Sequence, residues 1–489
     1  MVEKQVERDL WALCEQLRPR MEASDYKHVV LRIYSLLALS NKSEEEPGRI
    51  KISPEYKWDA IYKRVVKLSK GDGGGSKSAA IYVDQAMTQI AKDNEKINDC
   101  FPPVFERLMV DNKTLENLMA GFGKIIKRNE HSGTIYQFFL RKFAETEGRS
   151  GGEFFTPGCI LDVMVRILDF KEGTIYEPCF GGGSMIVACN DHAKRQTKKK
   201  RPLKFYAQEG NPTTFRQGKV RFFLEDIEGE WRLGDTLLED QFVGYEGDGA
   251  IANPPFNQKK WSEEKPEVLA MEGEKPNEVP VDPRWKDWGL PPSANGNFAW
   301  MQHVNFHAGK RAGIIFSNGT LSNGASQDNR RKMIAQDRVM CIVAMPNQLF
   351  TNTPIPSAIW FIGDKQQHRK GQTLFIDARK KGSIREDSRT LKVLSDEEKD
   401  EIVSPVLDWE NNNGNYEPVP GQHISLTIDE ILERNKGVYC NPGRFVEADD
   451  EGDVVCEDDV TELLDHLGIL HSEIDELQKS IVDSFDEDV

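Results

Sequence analysis

The chain has 489 residues, 38% of them apolar, with 64 basic and 80 acidic side chains and a formal net charge of −16. That length exceeds one ordinary core, so two or three domains are expected, and the apolar content excludes long disorder. The acidic balance excludes a surface that wraps nucleic acid broadly; any nucleic-acid contacts must be local or carried by a partner.

The first 20 residues are charged throughout and hold no signal-peptide core. The most apolar stretch, residues 28–39, is short and contains Arg32, so no membrane span is expected. Residues 1–150 read as an all-helical N-terminal domain. Within it, residues 26–39 form too long an apolar run for an exposed strand, and 111–127 and 134–145 repeat apolar residues three to four apart. The glycine-rich segment at 71–77 lacks the strand–GxxxxGK[ST] pattern of a phosphate loop and reads as a flexible loop. Eight cysteines are scattered with no CxxC pair, so neither a zinc site nor a redox dithiol is indicated, and the usage fits a reducing cytoplasm. No metal site is expected.

From about residue 150 the texture changes to short apolar runs alternating with helical stretches. Strands are expected at 174–176, 204–208, 249–252, 311–316, 339–344 and 358–362, with helices at 157–168, 184–192 and 213–223. Such alternation predicts an α/β fold, a mostly parallel sheet with helices on both faces, which binds ligands at the carboxyl ends of its strands. The basic run Lys198 to Arg201 reads as a solvated loop.

Four segments carry chemistry. In IYEPCFGGGS (175–184) a strand runs into acidic Glu177 and a glycine turn, then a helix beginning at Ser184. Glycines 181 and 183 let the backbone approach a ligand, and the helix start offers free N–H groups. Alone, such a turn also serves nucleotide sites or a plain structural bend. In YAQEGN (206–211), Glu209 ends the next strand, where a carboxylate can accept from both hydroxyls of a ribose. In LGDT (233–236), Asp235 is placed to contact an adenine ring, or is an ordinary turn residue.

The sharpest segment is ANPPF (252–256). Pro254 and Pro255 remove two backbone donors and fix φ twice. The Asn253 amide oxygen and the Pro254 carbonyl can then face one point as acceptors, with the Phe256 ring two residues on. That set suits a planar base bearing an NH₂ group. The following stretch, 258–295, is rich in Lys, Glu and Pro with little periodicity; it reads as a mobile flap over the site or as a surface insertion. Residues 456–489 form a last unit. Val460, Leu463, Leu467, Leu470, Ile474, Leu477 and Ile481 make an a/d seam over about three heptads, which predicts a C-terminal helix, either packed on its own domain or, as the preceding acidic loop-like stretch favours, docked on a partner's helices.

These residues resemble a known family. Asn253 to Phe256 looks like the catalytic motif of amino-group DNA methyltransferases, and Glu177 to Gly183 resembles their cofactor loop, with Glu in place of the usual Asp and bulky Phe180 before the glycines. Glu153, Phe154, Phe155, Thr156 and Pro157, in GEFFTP (152–157), resemble the segment that caps the cofactor's methionine. NFAWMQH (297–303), RAGIIFSNG (311–319), PNQLF (346–350) and IPSAIWF (355–361) follow in the order of the modification (M) subunit of type I restriction–modification systems.

The resemblance implies a class I S-adenosylmethionine-dependent methyltransferase fold, Rossmann-like, over residues 151–455. The cofactor would be S-adenosyl-L-methionine, bound by 153–157, Glu177, Gly181, Gly183, Ser184, Glu209 and Asp235. The activity implied is site-specific methylation of adenine N6 in double-stranded DNA, with catalysis by Asn253, Pro254, Pro255 and Phe256 on a flipped-out base. The partners implied are a specificity subunit flanked by two copies of this chain, and a restriction (translocase) subunit, in the cytoplasm. Methylation of cytosine N4, of RNA or of a protein glutamine uses related motifs, and a non-catalytic cofactor-binding scaffold is the reading from another class.

Overall fold

The computed structural model describes residues 4–17, 21, 23–71, 78–126, 132–147, 155–269, 282–351, 355–386, 388–411, 415–433 and 439–446. Residues Glu153 and Phe154, most of the glycine-rich segment at 71–77, and the C-terminal heptads lie outside them. The described chain forms two compact units. One is Met1–Asn253 with Phe306–Lys310 and Thr351–Thr353; the other is Pro254–Asn305, Arg311–Phe350 and the described residues after 354.

The first unit opens with helices α1 (Lys4–Glu15), α2 (Ala23–Glu45), α3 (Trp58–Ser69), α4 (Ala79–Asp93), α5 (Asn112–Ile125) and α6 (Ser132–Glu147). Local signals start several of them: Ser78 accepts from the Ala80 N–H before α4, and Asp111 accepts from the Thr114 N–H before α5. Their apolar faces meet around a ring cluster of Tyr34, Phe122, Tyr136 and Phe139. Each such buried ring contributes roughly 1.5–3 kcal/mol. This helical core does not stop near residue 150; Val220 and Leu224 belong to it as well.

There follow α7 (Gly158–Leu168), β1 (Gly173–Glu177), α8 (Ser184–Thr197), β2 (Leu203–Glu209), α9 (Pro212–Leu224), β3 (Glu228–Leu233) and β4 (Gly247–Ala252). In this unit the order is β4-β1-β2-β3; β1 pairs parallel with β4 and β2, and β2 parallel with β3, with Tyr176 beside Tyr206 and Ala250. The chain leaves β1 to one side for β2 and β3, then crosses to the other for β4. The reversal falls between β1 and β4, where an open α/β sheet forms its ligand crevice. Because these strands run the same way, Glu177, Glu209, Leu233 and Ala252 end along one edge.

The second unit carries all but the last two residues of α10 (Asn297–His307), all but the opening residues of β5 (Ala308–Ser317), α11 (Gln327–Ala335), β6 (Val339–Ala344), β7 (Ser357–Gly363), β8 (Gln372–Asp377), β9 (Ser383–Ile384), β10 (Lys392–Val393), α12 (Asp396–Glu410), β11 (His423–Thr427), α13 (Ile428–Glu433) and α14 (Pro442–Val446). Its strand order is β11-β8-β6-β7-β5. β7 runs antiparallel to β5 and β6, β8 runs parallel to β6, and β11 closes the edge antiparallel. β6 and β7 are buried along their whole length, which is why they read as continuous apolar runs.

The basic run after α8 is a surface loop whose charges are neutralised locally: Lys199 pairs with Glu172, and Lys200 and Arg201 with Asp226. The described parts of the 258–295 stretch differ from a free flap. They carry the buried rings of Trp261, Trp285 and Trp288, and the Trp261 indole donates to the Pro292 carbonyl. Among the described residues no helix is long and apolar enough to cross a membrane.

Candidate active site at the carboxyl edge of the parallel strands

The glycine turn is built by packing as much as by sequence. Phe180 donates its N–H to the Gln208 carbonyl, and Gly183 donates to the Phe180 carbonyl at 2.7 Å. Gly181 and Gly183 have φ of +52° and +75°. A Cβ on Gly183 would lie 2.2 Å from the Phe222 ring, so only glycine fits there; one on Gly181 would meet nothing, so the backbone is open at that point. Phe180, the bulky departure from the family pattern, leans away from the edge against Phe215, Phe222 and Trp231. It serves as the peg that seats the turn.

Under the turn lies a residue that sequence reasoning missed. Arg221 of α9 is fully buried, and its Nη1 donates to the Gly182 carbonyl at 2.9 Å and to the Ser184 hydroxyl. Burial holds its guanidinium below the ordinary arginine range, with Glu225, Tyr136 and Asp191 opposing that shift. Ser184, expected to touch a cofactor, therefore has its hydroxyl on Arg221. The helix α8 that it opens has no side-chain cap, which leaves the first-turn N–H groups available.

Two carboxylates stand at the ends of adjacent strands. Glu209 Oε2 accepts from the Gly181 N–H and its Oε1 from the Asn211 N–H, both at 2.8 Å, so it braces the turn. Glu177 is 1% exposed, and its Oε2 has no hydrogen-bond partner among the described residues. Burial, then the neighbouring Glu209 charge, pushes the Glu177 carboxyl well above the usual carboxylate range. Asp235 is exposed after β3, and its Oδ1 accepts from the N–H groups of Leu237 and Leu238, so it caps a turn. Gln208, also missed in the sequence, is fully buried and holds that segment through the Gly234 and Glu239 carbonyls.

Asn253 follows β4 on the same edge. Its Nδ2 donates to the Thr156 hydroxyl at 2.8 Å, while its Oδ1 is buried without a partner among the described residues. A hydrogen bond from the Asn253 backbone to the Cys179 sulphur ties it to the residue two before Gly181. Thr156, expected against the cofactor, is buried on Asn253; Phe155 and Pro157 are half-buried beside it in sequence, and Pro157 leads into α7.

The rest of the motif belongs to the second unit. Pro254 is buried, Pro255 exposed, and the Phe256 ring meets Phe350 edge-on at 5.8 Å. Asn257 takes φ of +53° and exchanges two hydrogen bonds with Asn297 at the start of α10, which gives the segment 297–303 a role in holding the chain just after Phe256.

Collected in the first unit are thus a backbone-lined glycine turn, a buried carboxyl oxygen without a partner, a second carboxylate, and an amide oxygen without a partner. Those acceptors and the open backbone fit S-adenosylmethionine, whose cationic groups suit a buried carboxyl such as Glu177 and whose ribose hydroxyls suit Glu209. Fold and edge together define an S-adenosylmethionine-dependent methyltransferase.

Residues 127–453 match the family model described as N-6 DNA Methylase. The chain belongs to the N-6 DNA methylase family, whose reaction is methyl transfer from S-adenosylmethionine to the N6 of adenine in DNA. It is 31% identical to the type I restriction enzyme HindI methylase subunit of Haemophilus influenzae, over 81% of this chain and 90% of that one. It is 29% identical to the MjaIX methylase subunit of Methanocaldococcus jannaschii, over 90% and 83%. Among solved structures, the type I methyltransferase subunit from Streptococcus thermophilus superposes with a TM-score of 0.71 at 20% identity, covering 90% of this chain and 99% of that one.

Proposed function

We propose that this chain is the methyltransferase subunit of a type I restriction–modification complex, and that Asn253, Pro254, Pro255 and Phe256 act on an adenine flipped out of duplex DNA. The observation that carries this reading is the Asn253 amide oxygen, buried and unpartnered, with its NH₂ end tied to Thr156 and its backbone to the glycine-turn segment.

Bound S-adenosylmethionine supplies a methyl group on a cationic sulphur. Glu177, Gly181, Gly183 and Glu209 would hold it, with Asp235 toward its adenine and Phe155, Thr156 and Pro157 toward its methionine; Glu153 and Phe154, assigned to the same role by resemblance, lie outside the described residues. Asn253 Oδ1 and the Pro254 carbonyl accept the two hydrogens of the target amine. They favour the pyramidal nitrogen, whose lone pair points at the methyl, so their hold tightens in the transition state. The cofactor would supply the methyl from a positively charged sulphur that keeps the bonding pair as a neutral leaving group, and the amine proton released would pass to water. Extruding the base costs a few kcal/mol, and stacking on Phe256 returns roughly 1–3 kcal/mol.

Site selection belongs to another chain in this reading. The net charge of −16 suits a subunit that leaves DNA reading to a specificity subunit flanked by two copies of it, joined by a restriction subunit in the cytoplasm. The test is co-expression with a specificity subunit, followed by mapping of methylated bases. N6-methyladenine at a defined site, lost with Asn253→Ala while cofactor binding persists, is the expected result. Full turnover by that variant, or methylation of cytosine, RNA or protein instead, overturns the assignment.

A further inference from the structure

Within the first unit, away from the edge just described, a cavity of about 340 Å³ lies between α2, the segment around Pro102, and α9. Neither Glu177, Glu209, Asp235 nor any glycine of the turn lines it. Its volume stands at the small end of the roughly 300–1,000 Å³ usual for ligand sites.

Its wall holds buried polar groups with nothing to bond. Gln217 is 8% exposed, and both its Oε1 and Nε2 lack a hydrogen-bond partner among the described residues. Arg32 is 9% exposed, and its Nη1 is likewise unpartnered. A buried carboxamide and a buried guanidinium left in this state cost free energy unless something completes them. The nearby acid does not: Asp84 acts on Arg32 electrostatically, but spends both carboxylate oxygens on the N–H groups of Val104 and Glu106.

The charge of the wall is positive. Arg107 and Arg216 also line the cavity, Arg107 with a long 3.7 Å contact to Asp25. His28, also in the lining, has its pKa lowered by burial first, then by Lys27 and Arg32, with Asp25 opposing and Arg107 reinforcing. Burial pulls the Arg32 guanidinium down to about 10. Phe101, Pro102, Pro103 and Val220 add apolar surface to the same lining, and the Arg32 guanidinium stands 5.8 Å over the Phe101 ring.

The geometry points to a second ligand site here, for an adenine mononucleotide, with Arg32 and Arg216 on its phosphate and the Gln217 carboxamide on its base. A planar guanidinium suits a phosphate, and a carboxamide that offers one donor and one acceptor matches the adjacent acceptor and amine of adenine. The apolar wall takes the face of the ring. The site does not depend on the roles proposed for Asn253 to Phe256.

The test uses the full chain saturated with S-adenosylhomocysteine, so that the cofactor edge is filled, and titrates AMP by calorimetry. One AMP per chain is expected, with adenosine and inorganic phosphate each at least tenfold weaker. Arg216→Ala, at a half-buried position, and Gln217→Leu should each weaken AMP at least tenfold and leave S-adenosylhomocysteine affinity unchanged. Displacement of AMP by S-adenosylhomocysteine, equal affinity for adenosine, wild-type AMP binding by Arg216→Ala, or no AMP binding at millimolar concentration would each overturn the proposal.

Discussion

The Asn253 side chain and the Thr156 hydroxyl are joined by a 2.8 Å hydrogen bond across 97 residues of sequence. The bond occupies the NH₂ end of the amide and leaves the oxygen end unpartnered. Thr156 thereby sets which end of Asn253 faces a target amine, and it acts through Asn253 as a positioning residue.

Thr156→Val keeps the shape and removes the bond. A neutral hydrogen bond is worth about 0.5–1.5 kcal/mol, so a fall of up to about tenfold in kcat is expected, with cofactor affinity changed little. Thr156→Ser should restore the rate. Single-turnover transfer of labelled methyl to DNA measures it, and equal rates for the Val and Ser variants would remove Thr156 from the mechanism.

Arg221 braces the glycine turn from below through Gly182 and Ser184. Arg221→Met loses charge-assisted bonds worth roughly 1.5–3 kcal/mol, so S-adenosylhomocysteine should bind at least about tenfold more weakly. Arg221→Lys should restore part of it, because both bonds come from the single Nη1 nitrogen, whose donors an ammonium can supply. Calorimetric binding alongside thermal denaturation separates a loosened turn from a loss of fold.

Glu177 gives the site a pH dependence whose sign follows from its burial. Its carboxyl holds the proton above the ordinary value of 4.5 in the folded state, while the unfolded chain releases it near that value. The cofactor-free protein therefore loses this contribution as pH rises above about 4.5, until the folded group itself ionises. Glu177→Gln should flatten that decline and make the cofactor-free protein more stable at neutral pH. The same variant should bind the cationic cofactor more weakly. In the wild type, cofactor binding should release a proton, read as a buffer-dependent enthalpy; a buffer-independent enthalpy would show that Glu177 is already ionised.

Removal of residues 460–489 should abolish co-purification with a specificity subunit while the truncated chain keeps its cofactor affinity. Co-purification at wild-type yield would refute a docking role for the heptads.

Much of the fold was legible in advance where the signal is local. β6 was expected at 339–344 and runs Val339–Ala344, and α7, α8 and α9 begin within one residue of expectation. β3, β8 and β11 were not anticipated. β3 is an edge strand, EGEWRL, that alternates exposed and half-buried residues and lacks an apolar run. β11 is another edge strand with mixed burial, HISLT. For the candidate site, Glu177, Gly181, Gly183, Glu209 and Asn253 were all marked by strand ends and by Gly or Pro punctuation. Arg221 and Gln208 were not marked, since each sits inside an element whose periodicity carries no sign of the carbonyls it will meet.

The sequence by itself determined the order of strand, turn and helix and the chemical kinds of residue at each strand end, because apolar periodicity and the backbone limits of Gly and Pro act over a few neighbouring residues. Only the tertiary structure decided that Thr156 holds Asn253, that Arg221 carries the glycine turn, and that α9 completes the helical core with Val220 and Leu224. Those pairings depend on which buried polar group finds which partner once distant segments pack, and no local pattern encodes that choice.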